Sequence, residues 1–420
     1  MVSIARKNLL EDIPRFLVAQ AGIMFAVSLV TIQTGIFQGV IRSTVSLIAD
    51  SQADIWIASR RMVHLELTEP ILFDSKVKAD EVKGVEKTDA LIIGSARWFI
   101  SANELSVVKV FGFNPNKGLL VPGKVIQGSV SDLEKPYTLI VDKSKLRSLK
   151  VNKIGDRAKL GSLSAEIAGI TQDSQSAVSG SFVFSSLETA NAYVNSRITS
   201  SVNCKWEVGE FKCVNIYEKV DPAVTTNQPN QSATDGPQPI ALNTPISFVL
   251  VKAKPGEDLK QLQQRLQKAL PQTNVYIKDE MIKKIGNFWE RRTGIGFILG
   301  LGAVVGVIVG IVIVGQILYS SVSDHIKEFG TLKAMGASNK VIYGIILEQA
   351  LWMAVIGYIP GILLCWGLGM WTSATQGIVI LITPTTAVGV FGITLFMCVS
   401  SAIFAIQKVN HVDPAIVFKA

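Results

Sequence analysis

The chain carries little that could do chemistry. Its 420 residues include 4 cysteines and 3 histidines. His64, His325 and His411 stand far apart, and no His/Cys group has the spacing of a zinc site. The nearest approach to a G-x-x-x-x-G-K-[ST] phosphate loop is Gly123-Lys124, which Val125 follows where Ser or Thr is needed. There is no nucleophile elbow and no flanked Ser-His-Asp pattern. The sequence therefore offers no catalytic residue, no metal ligand and no cofactor site of its own. Charge is sparse too, at 18% against 48% hydrophobic residues. That balance excludes a typical soluble enzyme and points to a few spans joined to a sizeable folded domain. The net charge of +8 comes with no nucleic-acid module; basic loops held in the cytoplasm account for such a surplus in a membrane protein.

Long apolar runs are present. Phe16 to Val40, Gly294 to Val322, Val341 to Trp371 and Thr385 to Ile406 each reach the ~20 residues a helix needs to cross a bilayer. They predict an α+β membrane protein with four transmembrane helices and a large extracytoplasmic α+β domain between the first two. The expected segments are a cytoplasmic amphipathic helix at 1–15, spans at 16–41, 291–322, 341–371 and 385–407, the outer domain at 42–290, a cytoplasmic connector at 323–340, an external loop at 372–384 and a tail at 408–420. Phe16 to Val40 is too long for a signal-peptide core and no A-x-A site follows it. Arg6, Lys7 and Arg15 in the head, Lys327, Lys333 and Lys340 in the connector, and Lys408 and Lys419 in the tail put all three in the cytoplasm, while the 372–384 loop has no charge.

Within 42–290, β-like segments alternate with polar loops. An early strand-helix-strand unit and a late one, in which Leu259, Leu262, Leu266 and Leu270 form one helical face, are expected to pair as halves at about 44–113 and 244–290. A β-rich insertion fills about 114–243. Cys204 and Cys213 flank a short polar loop and form a disulfide if that loop lies outside the cytoplasm. In the second span Gly302, Gly306 and Gly310 recur at a stride of four, a pattern for close helix approach, either within the chain or to a second copy. Glu348 is a carboxylate within the third span, read as a structural hydrogen-bonding group.

The connector reads S-D-H-I-K-E-F-G-T-L-K-A-M-G-A-S-N-K-V. Ile326, Phe329, Leu332 and Met335 recur every third residue, which predicts a short amphipathic helix with one apolar stripe, ended by Gly336. Its stretch Glu328, Phe329, Gly330, Leu332, Lys333, Ala334, Gly336, Ala337 and Ser338 resembles the E-[IF]-G-x-[LM]-[KR]-A-[LMI]-G-[AM]-[ST] segment of permeases of the MacB/FtsX superfamily of ABC transporters. The opening S-I-A-R-K-N-L-L and the closing V-D-P-A are also similar to that family.

The resemblance implies that the connector is a coupling helix docking on a nucleotide-binding subunit, and that the outer domain is a split porter module with an inserted subdomain. About fifteen residues precede the first span, so a separate ATPase polypeptide, holding ATP and Mg, is expected. The implied subtype is the DevC-like permeases. The implied partners are that ABC ATPase, a second copy in a homodimer, a periplasmic adaptor (membrane fusion) protein, an outer-membrane TolC-like channel and membrane lipids, in the bacterial inner membrane. The implied activity is export of a glycolipid or other hydrophobic cargo. The alternatives are a lipoprotein-releasing permease of LolC/LolE type and an FtsX-type scaffold controlling a cell-wall hydrolase.

Overall fold

The computed structural model describes residues 13–101, 104–195, 198–207, 210–219, 236–292, 294–376 and 380–410. The expected amphipathic head, apart from its last residues, and the V-D-P-A close lie outside them. In chain order the elements are α1 (Ile13–Ala49), β1 (Ile55–Ser59), β2 (Ile71–Leu72), α2 (Asp74–Asp80), β3 (Val85–Ser101), β4 (Glu104–Phe113), β5 (Lys124–Gly128), β6 (Thr138–Asp142), α3 (Leu146–Leu149), β7 (Arg157–Leu160), β8 (Leu163–Gln172), β9 (Ser181–Ser186) and α4 (Leu187–Val194). There follow β10 (Ile198–Glu207), β11 (Glu210–Lys219), β12 (Pro245–Ile246), β13 (Phe248–Ala253), α5 (Leu259–Ala269), β14 (Thr273–Ile277), α6 (Lys278–Arg292), α7 (Ile295–Asp324), α8 (Ile326–Ala334), α9 (Asn339–Gln376) and α10 (Pro384–Asn410). The chain divides into two units, Met1–Val40 with Thr293–Ala420, and Ile41–Arg292.

In the first unit α1, α7, α9 and α10 are each long and apolar enough to cross a membrane. Their shared seam holds Ala26, Val314, Ile346, Met353, Met397 and Ala402. Polar groups bridge it: Ser401 donates to the Ile311 carbonyl at 2.9 Å, Tyr358 to the Ala387 carbonyl at 2.8 Å, and Thr386 to the Gln38 amide oxygen at 2.8 Å. In an apolar solvent such bonds and close packing must hold helices together. The glycine stripe of α7 supplies the packing. A Cβ on Gly302 would meet the Gln33 side chain at 2.7 Å, one on Gly306 would meet Leu29 at 3.1 Å, and one on Gly310 would meet Ala26 at 2.9 Å and collide with Met397. That face is filled inside the chain by α1 and α10, so of the two contacts the sequence allowed, the intrachain one is observed.

The second unit is built on a mixed ten-stranded sheet in the order β14-β1-β13-β3-β4-β9-β6-β8-β5, with β7 pairing β3 and β8. β13 and β14 come late in the chain yet flank β1, so early and late segments share one sheet. The sheet does not stop at the expected insertion boundary: β9 joins β4 in parallel, Val108 opposite Ser181 through Phe113 opposite Ser186. Alternation serves two cores. On β13, Val249 and Val251 face a layer with Trp98, Val110, Tyr193 and Leu262, while Phe248 and Leu250 face one with Trp56, Phe111, Phe184 and Ile285. A sheet covered on both faces reads as near-continuous apolar strands, and β6 and β9 are buried at every position. Asp258 caps α5 by accepting from Lys260 and Gln261 N–H groups, and Leu262, Leu266 and Leu270 of its expected face are buried. β10 and β11 form a separate two-stranded ribbon whose register sets Cys204 directly opposite Cys213; the thiols themselves lie outside the described residues.

Candidate functional site

Helix α8 lies between α7 and α9. A one-residue break at His325 separates it from α7, and the His325 carbonyl accepts from the Glu328 and Phe329 N–H groups at 3.0 and 3.1 Å. Phe329 is the anchor: it is 2% exposed and packs into the seam of the helical unit, with Leu332 half-buried beside it. Gly330 is buried and Lys333 and Ala337 are half-buried. The opposite face, Lys327, Glu328, Thr331, Ala334, Met335 and Ser338, is exposed. These positions recur every three to four residues, so one side of α8 is offered outward while the other is held.

The C-terminus of α8 departs from the expected stripe. Gly336 has φ of +90°, its N–H donates to the Lys333 carbonyl at 3.0 Å, and the Ala337 N–H donates to the Leu332 carbonyl at 3.0 Å. This pair of bonds is the Schellman closure, which needs a left-handed residue just past the helix. Met335 still donates a helical bond to the Thr331 carbonyl at 2.9 Å and stands 71% exposed, because six residues past Phe329 place it about 120° round an α-helix. The sequence placed it with Phe329; the structure puts it on the outward face beside Thr331.

Glu348, singled out within the third span, is half-buried on α9. The neighbouring Gln349 is the more enclosed side chain, at 1% exposure. Sequence reasoning passed over Gln349, although Ile342, Ile346, Gln349 and Met353 follow the helical stride that marks the buried face. Gly118 does stand five residues before Gly123, but Lys124 opens strand β5 rather than a helix. A phosphate loop needs a helix N-terminus there, so the resemblance to one is superficial. Among the described residues no group of three or more His, Cys, Asp or Glu side chains could hold a metal ion.

The sequence model for the MacB-like periplasmic core domain matches residues 16–269, more than half the chain, and that for the FtsX-like permease C-terminal region matches residues 300–414. The chain belongs to the MacB/FtsX family of ABC transporter permeases. The second match takes in all of α8, α9 and α10 and most of α7. An uncharacterized ABC transporter permease of Methanocaldococcus jannaschii, MJ1507, is 26% identical over 124 residues, 28% of this permease and 30% of that relative's length. The permease thus spans less than a third of the curated relative it matches. Among solved structures, the periplasmic region of MacB from Actinobacillus actinomycetemcomitans overlaps 56% of the permease and 95% of that chain at 11% identity and a TM-score of 0.36. The extracellular domain of the ABC-type transporter YknZ from Gram-positive bacteria overlaps 53% and 98% at 10% identity and a TM-score of 0.33. Both scores lie below 0.5, so the family assignment rests on the sequence models.

Proposed function

We propose that this permease is the membrane subunit of an ABC exporter, in which α8 is the coupling helix seated on a separate ATPase subunit. The observation that carries this reading is the two-sided build of α8, with Phe329 locked into the helical seam and Glu328, Thr331 and Met335 turned outward. A helix held on one side transmits a push received on the other. ATP and Mg belong to the partner, and ATP-driven movement passes from α8 through the spans to the α+β unit, which lies outside the cytoplasm. Both termini are cytoplasmic. The cargo class is a glycolipid or another hydrophobic molecule, handed to a periplasmic adaptor and an outer-membrane TolC-like channel as in DevC-type systems. The permease works as a homodimer in the bacterial inner membrane. With the glycine stripe filled internally, the second copy meets the outward face of α7 at Phe297, Leu301 and Ile308, which are exposed in the single chain.

The test is co-purification of the co-expressed ATPase with Glu328→Arg combined with Met335→Asp. Both side chains are exposed, so the fold is expected to stand within about 0.5 kcal/mol. Loss of most of the bound ATPase is expected; ATPase recovery equal to wild type would remove α8 as the docking element.

A further inference from the structure

A chain of contacts in the α+β unit links the two segments by which that unit is entered and left, and it passes through two loops. On α1, just past the start of the unit, the Ser43 hydroxyl accepts from the Ala177 N–H at 2.9 Å, in the β8–β9 loop. In the same loop Ser179 donates to the Glu66 carboxylate, which also lies 3.8 Å from the Lys109 ammonium on β4. The Glu66 N–H donates to His64 Nδ1 at 3.4 Å. His64 stacks on Phe288, with ring centroids 4.8 Å apart, and lies 5.4 Å from Trp289, both on α6 just before the unit ends. The loop is tied onward to the sheet, because the Gln175 amide oxygen accepts from the Phe182 N–H at 2.7 Å and its nitrogen donates to the Phe182 carbonyl at 3.0 Å. β9 then runs through the middle of the sheet.

We propose that Glu66 is the positioning residue of a latch through which displacement of α1 or α6 reaches the β8–β9 loop and strand β9. The inference deepens the transporter reading above and rests on it for its purpose, but not for its existence. Glu66 is the one group in this path that touches both loops. Its carboxylate holds the β8–β9 loop from one side, and its backbone fixes the ring that α6 grips from the other. Ser43 alone would tie that loop to α1 with no link to α6. Coupling of this kind is demonstrated by non-additivity, not by proximity.

The experiment uses the full chain in lipid nanodiscs, without any ATPase, and reads amide hydrogen exchange in the 176–182 segment. Along this path Phe288 reaches that segment through His64 and Glu66, and Phe288→Ala is expected to speed exchange there about fivefold, within the range of couplings between contacting residues. In a Glu66→Ala background, Phe288→Ala is expected to add nothing. A merely structural Glu66 would loosen the loop by itself but leave the effect of Phe288→Ala intact, so multiplicative effects overturn the latch. So does an unchanged segment in the Phe288→Ala single variant. If Glu66→Ala fails to fold, Ser179→Ala replaces it in the same cycle, with the same two outcomes. ATPase docking is not read in this assay, so failure of the latch and failure of the transporter reading are separable.

Discussion

The two units distribute polarity in opposite senses. In the α+β unit the largest buried side chains include Trp56, Trp98, Tyr193 and Phe111, and lysines and glutamates face out. In the helical unit Phe297 is 74% exposed, while Ser28, Thr31, Gln349 and Ser401 are enclosed. Water around the α+β unit makes apolar burial the main stabilising term, at about 25 cal/mol per Å². A bilayer around the helical unit removes that term, since lipid tails are as apolar as leucine. What remains is close contact and hydrogen bonding, and the glycines of α7 and the hydroxyls of Ser401 and Thr386 are placed to provide them. The same substitution chemistry should therefore have different consequences in the two units.

The largest effect is expected where a glycine allows two helices to touch. Gly310→Leu must displace Met397 and push on Ala26, and overpacking of this kind costs about 1–3 kcal/mol or more. Thermal unfolding of the detergent-solubilised chain should drop clearly. Val312→Ala, two residues away at a 60% exposed site, should change it by less than about 0.5 kcal/mol. Equal losses would mean that α7 buries its outward face against protein rather than lipid.

A pH dependence tests the water-facing unit. Asp89 on β3 is enclosed, and its carboxylate accepts from the Ala90 N–H at 2.9 Å and the Asn114 N–H at 3.1 Å. Burial pushes its pKa up to about 7 from 3.8, against the two hydrogen bonds. The folded state thus holds a proton that the unfolded state has released across this window. Stability from this group is full below pH 3.8, is lost as pH rises to about 7, and is constant above. At 1.36 kcal/mol per pKa unit the whole span is worth on the order of 4 kcal/mol. His64 acts in the opposite sense: burial lowers its pKa below 6.5, so its share of stability falls as the solution is acidified past that value. Hydrogen exchange in β3 followed from pH 8 to 6.5 should show increasing protection on acidification, and Asp89→Asn should flatten that slope. A flat wild-type profile would place water beside the carboxylate.

What could be read from the sequence follows the same division. The four spans were legible because a bilayer demands about twenty uniform residues, and α8 because its wording is long and ordered. Sheet order was not. β4 was readable as a strand from its own residues, but nothing local says that β9, some seventy residues later, lies parallel to it. The ribbon β10–β11 was hidden because Cys204 and Cys213 suggested only a closed loop; the register shows them as opposite rungs. In α8 the three-residue stride ran one residue group too far. A stride of three drifts about 60° per step round an α-helix, so Met335 ends up turned away from Phe329 while its N–H still bonds the Thr331 carbonyl. Glu348 drew attention by its charge, whereas enclosure belongs to Gln349, which the stride of Ile342, Ile346 and Met353 marks.

The smallest expected effect sharpens the contrast within the helical unit itself. Gly336 and Gly310 are both glycines next to a helix contact, but they are glycine for different reasons. No atom lies within 4 Å of a Cβ built on Gly336, and its φ is +90°; the requirement there is backbone conformation alone. Gly336→Ala should cost about 1–2 kcal/mol, the penalty of a left-handed L-residue, and Gly336→Asn less, because asparagine tolerates that region. Neither should alter the burial of Phe329. The check is thermal unfolding of the three variants side by side, with Gly310→Leu as the reference. If Gly336→Asn is as damaging as Gly336→Ala, the turn is under steric pressure from a neighbour, and Met335 faces protein rather than the open side of α8.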